Sequence, residues 1–504
     1  MYDSPTPDRP YARLTLRYLF GATLLAIGLF ALFDFEALGR LFMFLSPDRS
    51  VTPFMMQLLR IVLVSLGAVG LAVLFFNFVR RVLDWIDGLV VAPSPGRYVC
   101  FALGVGLLLR AAVVLLMPFH LWMDYASYDD LGWQWATKGG YYNGELLTAY
   151  WPPAYPFLLS RLYLLFGHVP MTGVAVNFLF SLATAYLAYL IARAVWNERI
   201  GRWTLLLLAC LPSQILFVNV LASEVLFAPL LLGGIYVALI STGRSRFRWW
   251  RPFFCGFLLG LAALTRSIAL LCLLPVIYFW LRQSRRLKTG LLLALLGIAG
   301  MSVVVVPWMV RNYYVVGSFA INTNTGINLF IGNQPSSGMG YNQHAANEYD
   351  VNDPSREAEI DRETTRRAWQ YIKEHPWAFA RRGVIKVAFF YAVDVDALDY
   401  GLLQAAETGQ LNASLILAFP TQIYYLLVLY AALVGLATVY VSRRTGRSRA
   451  LDLLTLTIIY WTAVHFVFYG IGRYHFPIAP ILTTLASVCI VDQVERQRRE
   501  LFTR

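Results

Sequence analysis

The sequence predicts an all-α polytopic membrane protein, and three observations carry that reading. Of 504 residues, 58% are hydrophobic and only 14% charged, against about 25% charged in soluble domains. The hydrophobic residues gather into about twelve runs, most near the roughly 20 residues that span hydrocarbon as a helix. The Lys and Arg behind a formal net charge of +13 cluster between alternate runs, as cytoplasmic loops of membrane proteins do.

The runs fall at 18–35, 55–79, 98–121, 171–194, 203–221, 225–241, 252–265, 268–281, 289–308, 421–441, 451–469 and 476–491. The first could be the apolar part of a signal peptide, but no small-residue cleavage site follows "FALFDFEALGR", so it is read as an anchor. The basic segments "RRVLDWIDG", "ARAVWNERIGR", "TGRSRFRWWR", "RQSRRLK", "SRRTGRSR" and "QVERQRRELFTR" then share one side of the membrane. With twelve spans that side holds both termini and is cytoplasmic. The other side receives "MDYASYDD", the turns near Glu224 and Arg266, the segment from Arg311 to about Pro420, and "GIGRYHFP". Topology thus accounts for the positive charge, and no nucleic-acid partner is needed to explain it. The five cysteines, Cys100, Cys210, Cys255, Cys272 and Cys489, lie in apolar runs as small hydrophobes and imply no disulfide framework.

Two apolar stretches do not read as spans. "AYPFLLSRLYLLFG" is short with exterior sequence at both ends, and "PWAFARRGVIKVAFFYAV" mixes aromatics with Arg381, Arg382 and Lys386; both are expected as juxtamembrane helices. The pair 252–265 and 268–281 is also short, with Arg266 at the apex, and short membrane helices usually line a cavity. The exterior segment after Arg311 opens as an Asn, Gly and Ser-rich loop. It continues as "DPSREAEIDRETTRRAWQYIKEHP", whose early acids, late bases and closing Pro376 predict a helix. Four regions follow: residues 1–97, a cytoplasmic tail with a two-helix addition; 98–311, the membrane core, with a first exterior loop at 120–170; 312–420, an exterior cap with an interfacial helix; and 421–504, the last spans and a cytoplasmic tail. No Walker loop, dinucleotide-binding glycine pattern, zinc spacing or serine elbow occurs.

The stretch "MDYASYDDLGWQWATKGGYY" sets Asp124, Asp129 and Asp130 among Tyr125, Tyr128 and Trp133 at the outer surface. Taken alone, these residues equally suit solvated loop acids within an interfacial aromatic belt. Their neighbours, in order, are "TAYWPPAYPFLLSRLYLLFGH", "LPSQILFVNVLASEVLFAPLLL", "GFLLGLAALTRSIALL", "VVPWMVRNYYVVGSFAINTNTGINLFIGN" and "GRYHFPIAP". From about Tyr98 to Val491 this series resembles the GT-C glycosyltransferases that take sugar from a polyprenyl-phosphate carrier, in the branch with the bacterial aminoarabinose transferase of lipid A and the protein O-mannosyltransferases.

That resemblance implies a GT-C type bundle and a set of roles. Asp124 matches the acid of the first exterior loop and becomes the expected general base, since a hydroxyl needs a proton acceptor as it attacks an anomeric carbon. Tyr125, Tyr128 and Asp129 become candidates for sugar or acceptor binding, with capping or solvation equally open to Asp129. Glu224 matches a second acid at the outer mouth, where the branch carries an aspartate, and is expected to bind a substrate hydroxyl. The departing lipid phosphate needs fixed positive charge, and the planar fork of arginine suits it. Arg266, Arg311 and Arg473 stand in "ALTRS", "PWMVRNY" and "GRYHFP", supported by His475, Tyr474 and Lys138; snorkelling explains any one of them as well. Arg110, deep in the third run, suggests pairing inside the bundle.

The function expected is transfer of a sugar from a polyprenyl-phosphate donor to a hydroxyl acceptor on a glycan, lipid or protein, with inversion, at the periplasmic face of a bacterial inner membrane. No cofactor is expected. The three aspartates could hold Mg²⁺, yet the resembled branch is taken to rely on basic residues. A lipid-linked sugar flippase would also need many spans, but such transporters usually show repeated halves with midplane sites, and no repeat is seen here. A non-catalytic envelope assembly subunit would leave the exterior acids and arginines dispensable.

Overall fold

In a computed structural model, residues 9–33, 52–242, 248–337, 340–350, 353–441 and 449–502 are described. The start of the N-terminal tail, the segment after the first span, parts of two basic loops and the last two residues lie outside them. Nearly all regular structure is helical; the one sheet among the described residues pairs Tyr142–Asn143 with Leu146–Leu147. Gly144 at its turn has φ +63°, which the preceding "YNG" sequence suits.

Among the described residues, eight helices are long and apolar enough to cross a membrane: Thr15–Phe33, Pro53–Leu74, Pro95–Leu116, Met171–Val195, Ser223–Ser241, Leu287–Val316, Ala413–Tyr440 and Arg449–Val467. A ninth forms if Glu198–Ala209 and Pro212–Asn219 count as one span bent by 58°. Pro212 explains the bend, because its ring disfavours helical geometry at the preceding Leu211. The remaining three runs are the helices Trp250–Thr265, Leu273–Gln283 and Ala479–Phe502. The chain is therefore a multi-pass membrane protein in which each of the twelve apolar runs is a helix or a helix pair.

The short pair is built around Arg266. Trp250–Thr265 ends as Arg266 turns extended (φ −147°, ψ 114°), and a 3-10 segment, Ser267–Cys272, leads into Leu273–Gln283. Trp250–Thr265 packs on Leu287–Val316 through Gly256 and Gly300, where any Cβ would collide with the facing backbone. Small residues of this kind let membrane helices approach without polar glue. The pair is thereby held against a long helix, and its apex sits at one end of the bundle. At the opposite end Asp87, wholly buried, accepts from Arg199 at 2.7–2.8 Å, Arg498 at 2.9 Å and Trp203 at 3.0 Å.

Both apolar stretches that did not read as spans are helices, Ala154–Phe166 and Pro376–Ala392. The helix expected from "DPSREAEIDRETTRRAWQYIKEHP" spans Glu357–Glu374. It anchors the cap: Glu357 accepts from Thr148 Oγ1 (2.8 Å) and the Ala149 amide (2.7 Å) beside the hairpin, and Asp361 accepts from the Gly326 amide at 2.6 Å.

Candidate active site

Four charged side chains from four separate elements meet at the end of the bundle opposite Asp87. Asp124 lies in the first turn of the helix Met123–Lys138, entered through Met123 at φ +47°. A positive φ at a methionine is costly backbone, and such strain concentrates at functional sites. Glu224 opens the helix Ser223–Ser241, Arg266 closes Trp250–Thr265, and Arg473 stands in the turn Gly472–His475. Acids therefore sit at helix starts and one base at a helix end, the placement that backbone dipoles favour.

The contacts form a chain. Arg473 Nη2 donates to the Asp124 carboxylate, and its Nε lies 3.6 Å from Glu224 Oε1. Arg266 Nη1 reaches the same Glu224 oxygen at 2.7 Å and Ser223 Oγ at 3.3 Å. Tyr128 OH lies 3.3 Å from Ser223 Oγ. Tyr474 lies beside both arginines, with the guanidinium of Arg266 at 4.8 Å and that of Arg473 at 5.4 Å from its ring. Tyr125 offers its ring to Arg473 at 5.9 Å. The side chain of Glu224 is 2% exposed, whereas those of Asp124, Arg266 and Arg473 are 25%, 19% and 17% exposed. Asp124 and both arginines thus reach solvent, and Glu224 does not. Burial works against the charge on Arg473, but Asp124, Tyr474 and Glu224 outweigh it and hold this guanidinium well above its usual range.

The other sequence-expected residues lie elsewhere. Asp129 accepts from Tyr163 OH at 2.5 Å and faces His168 Nε2 at 2.9 Å, joining its helix to Ala154–Phe166. Asp130 takes Gln134 at 2.6 Å. The three acids of the motif thus turn to three different partners. Arg311 donates to the carbonyls of Thr148 (2.6 Å) and Tyr141 (3.3 Å), flanking the hairpin. Lys138 holds the hairpin's other side, at Gly144 O (2.6 Å) and Glu145 (3.0 Å). His475 is fully buried between Phe390 O (2.8 Å) and Asp394 Oδ1 (3.0 Å). Burial opposes its protonation, and the Asp394 carboxylate more than offsets that, raising its pKa. Arg110 is bonded inside the bundle to Ser181 Oγ (2.8 Å) and the carbonyls of Gly106 (2.9 Å) and Ala209 (3.1 Å).

Sequence reasoning passed over a second acid cluster, Asp394, Asp396 and Asp399 in "YAVDVDALDY". Asp396 accepts the backbone N–H of Arg473, and burial pushes its carboxyl up to about 6. Burial and the neighbouring Asp396 drive Asp399 up as well. Their signal was available: three aspartates within six residues, directly after the helix Pro376–Ala392.

Residues 151–310 match the family model of dolichyl-phosphate-mannose-protein mannosyltransferases. No curated protein matches the chain. Among solved structures, the apo oligosaccharyltransferase of Archaeoglobus fulgidus is similar with a TM-score of 0.49 and 13% identity, over 80% of this chain and 51% of that one. The same archaeal enzyme, AglB, with an inhibitory peptide and a dolichol-phosphate gives 0.47 and 11%, over 81% and 52%. This chain spans about half the length of that enzyme. ArnT from Cupriavidus metallidurans bound to undecaprenyl phosphate gives 0.40 and 14%, over 80% of this chain and 79% of that one. The resemblance to GT-C glycosyltransferases with polyprenyl-phosphate donors, read from the order of motifs, is thus met by a mannosyltransferase family match across residues 151–310.

Proposed function

We propose that this protein transfers a sugar from a polyprenyl-phosphate carrier to an acceptor hydroxyl, at the bundle end that holds Asp124, Glu224, Arg266 and Arg473. The observation that carries the reading is this quartet: two carboxylates and two guanidiniums, formally neutral, open on the side of Asp124 and the arginines. The family match to users of a dolichyl-phosphate sugar supports it.

The chemistry balances on these groups. The acceptor oxygen forms a bond to the anomeric carbon while the bond from that carbon to the phosphate oxygen breaks, its electron pair leaving with the phosphate. The acceptor proton passes to Asp124. That transfer makes the quartet formally +1 as the phosphate goes from one negative charge to two, so positive charge grows where the leaving group needs it. The donor phosphate would compete with Asp124 for Arg473, releasing the carboxylate to act as base. A single displacement of this kind inverts the anomeric configuration. Arg266 and Arg473 are assigned to the phosphate. Arg311, Lys138 and His475 are assigned to positioning, through the hairpin and Asp394, and Asp129 to fastening its helix. The quartet supplies its own cationic charge, so we assign no metal. We read the opposite end, with its basic segments, as cytoplasmic together with both termini, and the site as periplasm-facing in a bacterial inner membrane; the positive-inside rule supports this orientation.

Incubation of the purified protein with a polyprenyl-phosphate sugar and envelope acceptors tests this reading. A glycosyltransferase releases free lipid phosphate in proportion to glycosylated product. Movement of intact donor across vesicles without release would make it a flippase, and neither outcome would leave an assembly subunit.

A further inference from the structure

The helix Phe76–Val91, at the bundle end opposite the quartet, has two unlike sides. Phe75, just before it, and Phe78, Val82, Trp85 and Leu89 recur every three or four residues, which at 3.6 residues per turn gathers them within an arc of about 80°. All five are exposed, by 38–67%. The other side carries the charge. Asp84 accepts from Arg498 Nε at 2.7 Å, Asp87 lies in the buried cluster with Arg199, Arg498 and Trp203, and Arg80 donates to Glu500 at 3.2 Å. Both acids of the helix are thus turned inward, while Arg81 stands exposed beside the apolar stripe.

Chain topology dictates how this helix lies. It joins two consecutive spans, Pro53–Leu74 and Pro95–Leu116, so it begins and ends at one membrane face. Both its ends are tied to the starts of other membrane helices. The ring of Phe76 lies 5.4 Å from the guanidinium of Arg17, near the start of Thr15–Phe33. The carbonyls of Val90, Val91 and Pro93 accept from Arg202 Nη1 at 2.9–3.2 Å, beside the start of Glu198–Ala209. A helix of 16 residues is about 24 Å long, and with both ends held at one face it runs along that face. The chain turns into it at Phe75, whose ψ of 27° leaves helical geometry. Leu71 and Phe101, on the two flanking spans, are exposed as well, so the stripe continues the apolar surface that the bundle turns to lipid.

We propose that Phe76–Val91 is a membrane-surface helix. Its stripe enters the headgroup and acyl boundary of the leaflet farther from the quartet, Arg81 meets anionic headgroups, and the inward acids hold the C-terminal helix Ala479–Phe502 against that surface. An apolar stripe with a basic flank and a charged far side binds bilayers in this way. Lipid is the occupant because the stripe runs between two spans that are themselves in lipid. The inference stands apart from the reaction at the other end of the bundle.

The test uses the full-length protein with Cys100→Ala and Cys210→Ala, in nanodiscs of phosphatidylcholine and phosphatidylglycerol, carrying a nitroxide through Phe78→Cys, Trp85→Cys or Asn77→Cys. Collision rates with oxygen and with a water-soluble nickel chelate should place the labels at Phe78 and Trp85 about 5–10 Å into the headgroup and acyl boundary, and the label at Asn77 nearer to water. A second measurement needs no label: the fluorescence lost in Trp85→Phe, taken as the difference from native protein, should be quenched by phosphatidylcholine brominated high on its acyl chains more than by aqueous acrylamide. Stripe labels as open to the nickel chelate as the label at Asn77 would overturn the proposal. So would labels shielded from both colliders, which would bury the stripe against protein, or spin–spin broadening that fades on dilution with unlabelled protein, which would make it a contact between copies. Stronger quenching by acrylamide than by brominated lipid would overturn it too, and that comparison decides even where a cysteine variant fails to fold.

Discussion

Glu224 Oε1 sits 2.7 Å from Arg266 and 3.6 Å from Arg473, so one buried oxygen organises both cations. This makes the arginines unequal in what their loss would do. Arg473→Ala should weaken binding of undecaprenyl phosphate roughly 10- to 100-fold, the range for one charge-assisted contact, with little change in melting temperature because Asp124 retains solvent. Arg266→Ala should weaken it similarly and also lower the melting temperature, since it strips the nearest cation from a carboxylate that is 2% exposed. Arg266→Lys should restore the stability more than the binding, because an ammonium cannot reproduce the fork. Normal lipid-phosphate binding in both alanine variants would move the phosphate elsewhere. At this scale the sequence was readable where order decides and unreadable where rotation decides. Asp124, Glu224, Arg266 and Arg473 each follow or precede a span on the expected end, and they meet. Asp129 is five residues beyond Asp124, about 140° round the helix, and so faces Tyr163 and His168. No charge pattern in a single sequence reveals that rotation.

Among the elements, the cap is fastened by buried polar ties. Lys386, in Pro376–Ala392, is fully buried, with Asn333 Oδ1 and Val467 O each 3.2 Å from its ammonium nitrogen. Burial, with Arg382 nearby, pushes its pKa down to about 7 from 10.5. Between those values the unfolded chain binds more protons than the folded one, so stability should rise with pH across roughly pH 7 to 10. Melting curves of the purified protein should show that rise, and Lys386→Met should flatten it; an unchanged slope in the variant would remove Lys386 as its source. The existence of the helices Ala154–Phe166, Pro376–Ala392 and Glu357–Glu374 was legible from length, flanking proline and charge order. The hairpin Tyr142–Leu147 was not, because its two strands of two residues are fixed by Lys138, Arg311 and the cap, contacts that come from distant parts of the chain.

For the whole molecule, the two ends of the bundle carry different electrostatics. One closes on Asp87 with Arg199 and Arg498, and the other opens on the quartet. The composition and the spacing of apolar runs made the membrane class and the all-helical make-up plain but not the number of spans: of about twelve expected, eight helices, or nine with the pair bent by 58° at Pro212, are long and apolar enough to cross among the described residues, and the pair about Arg266 is broken into short helices. Because Arg266 and Arg473 already stand beside the carboxylates, transfer should persist in excess EDTA; loss of activity restored by Mg²⁺ or Mn²⁺ would show that a divalent ion has a part in the site. The most direct test of the central claim is the single-turnover rate of sugar transfer by Asp124→Asn, in protein that still binds the donor. The side chain keeps its size and can still accept a hydrogen bond from Arg473, but it has no carboxylate to take the acceptor proton. The account predicts a fall of at least about 10²-fold, within the range for loss of a general base, with donor binding largely intact. A near-native rate would contradict it and take Asp124 out of the base role.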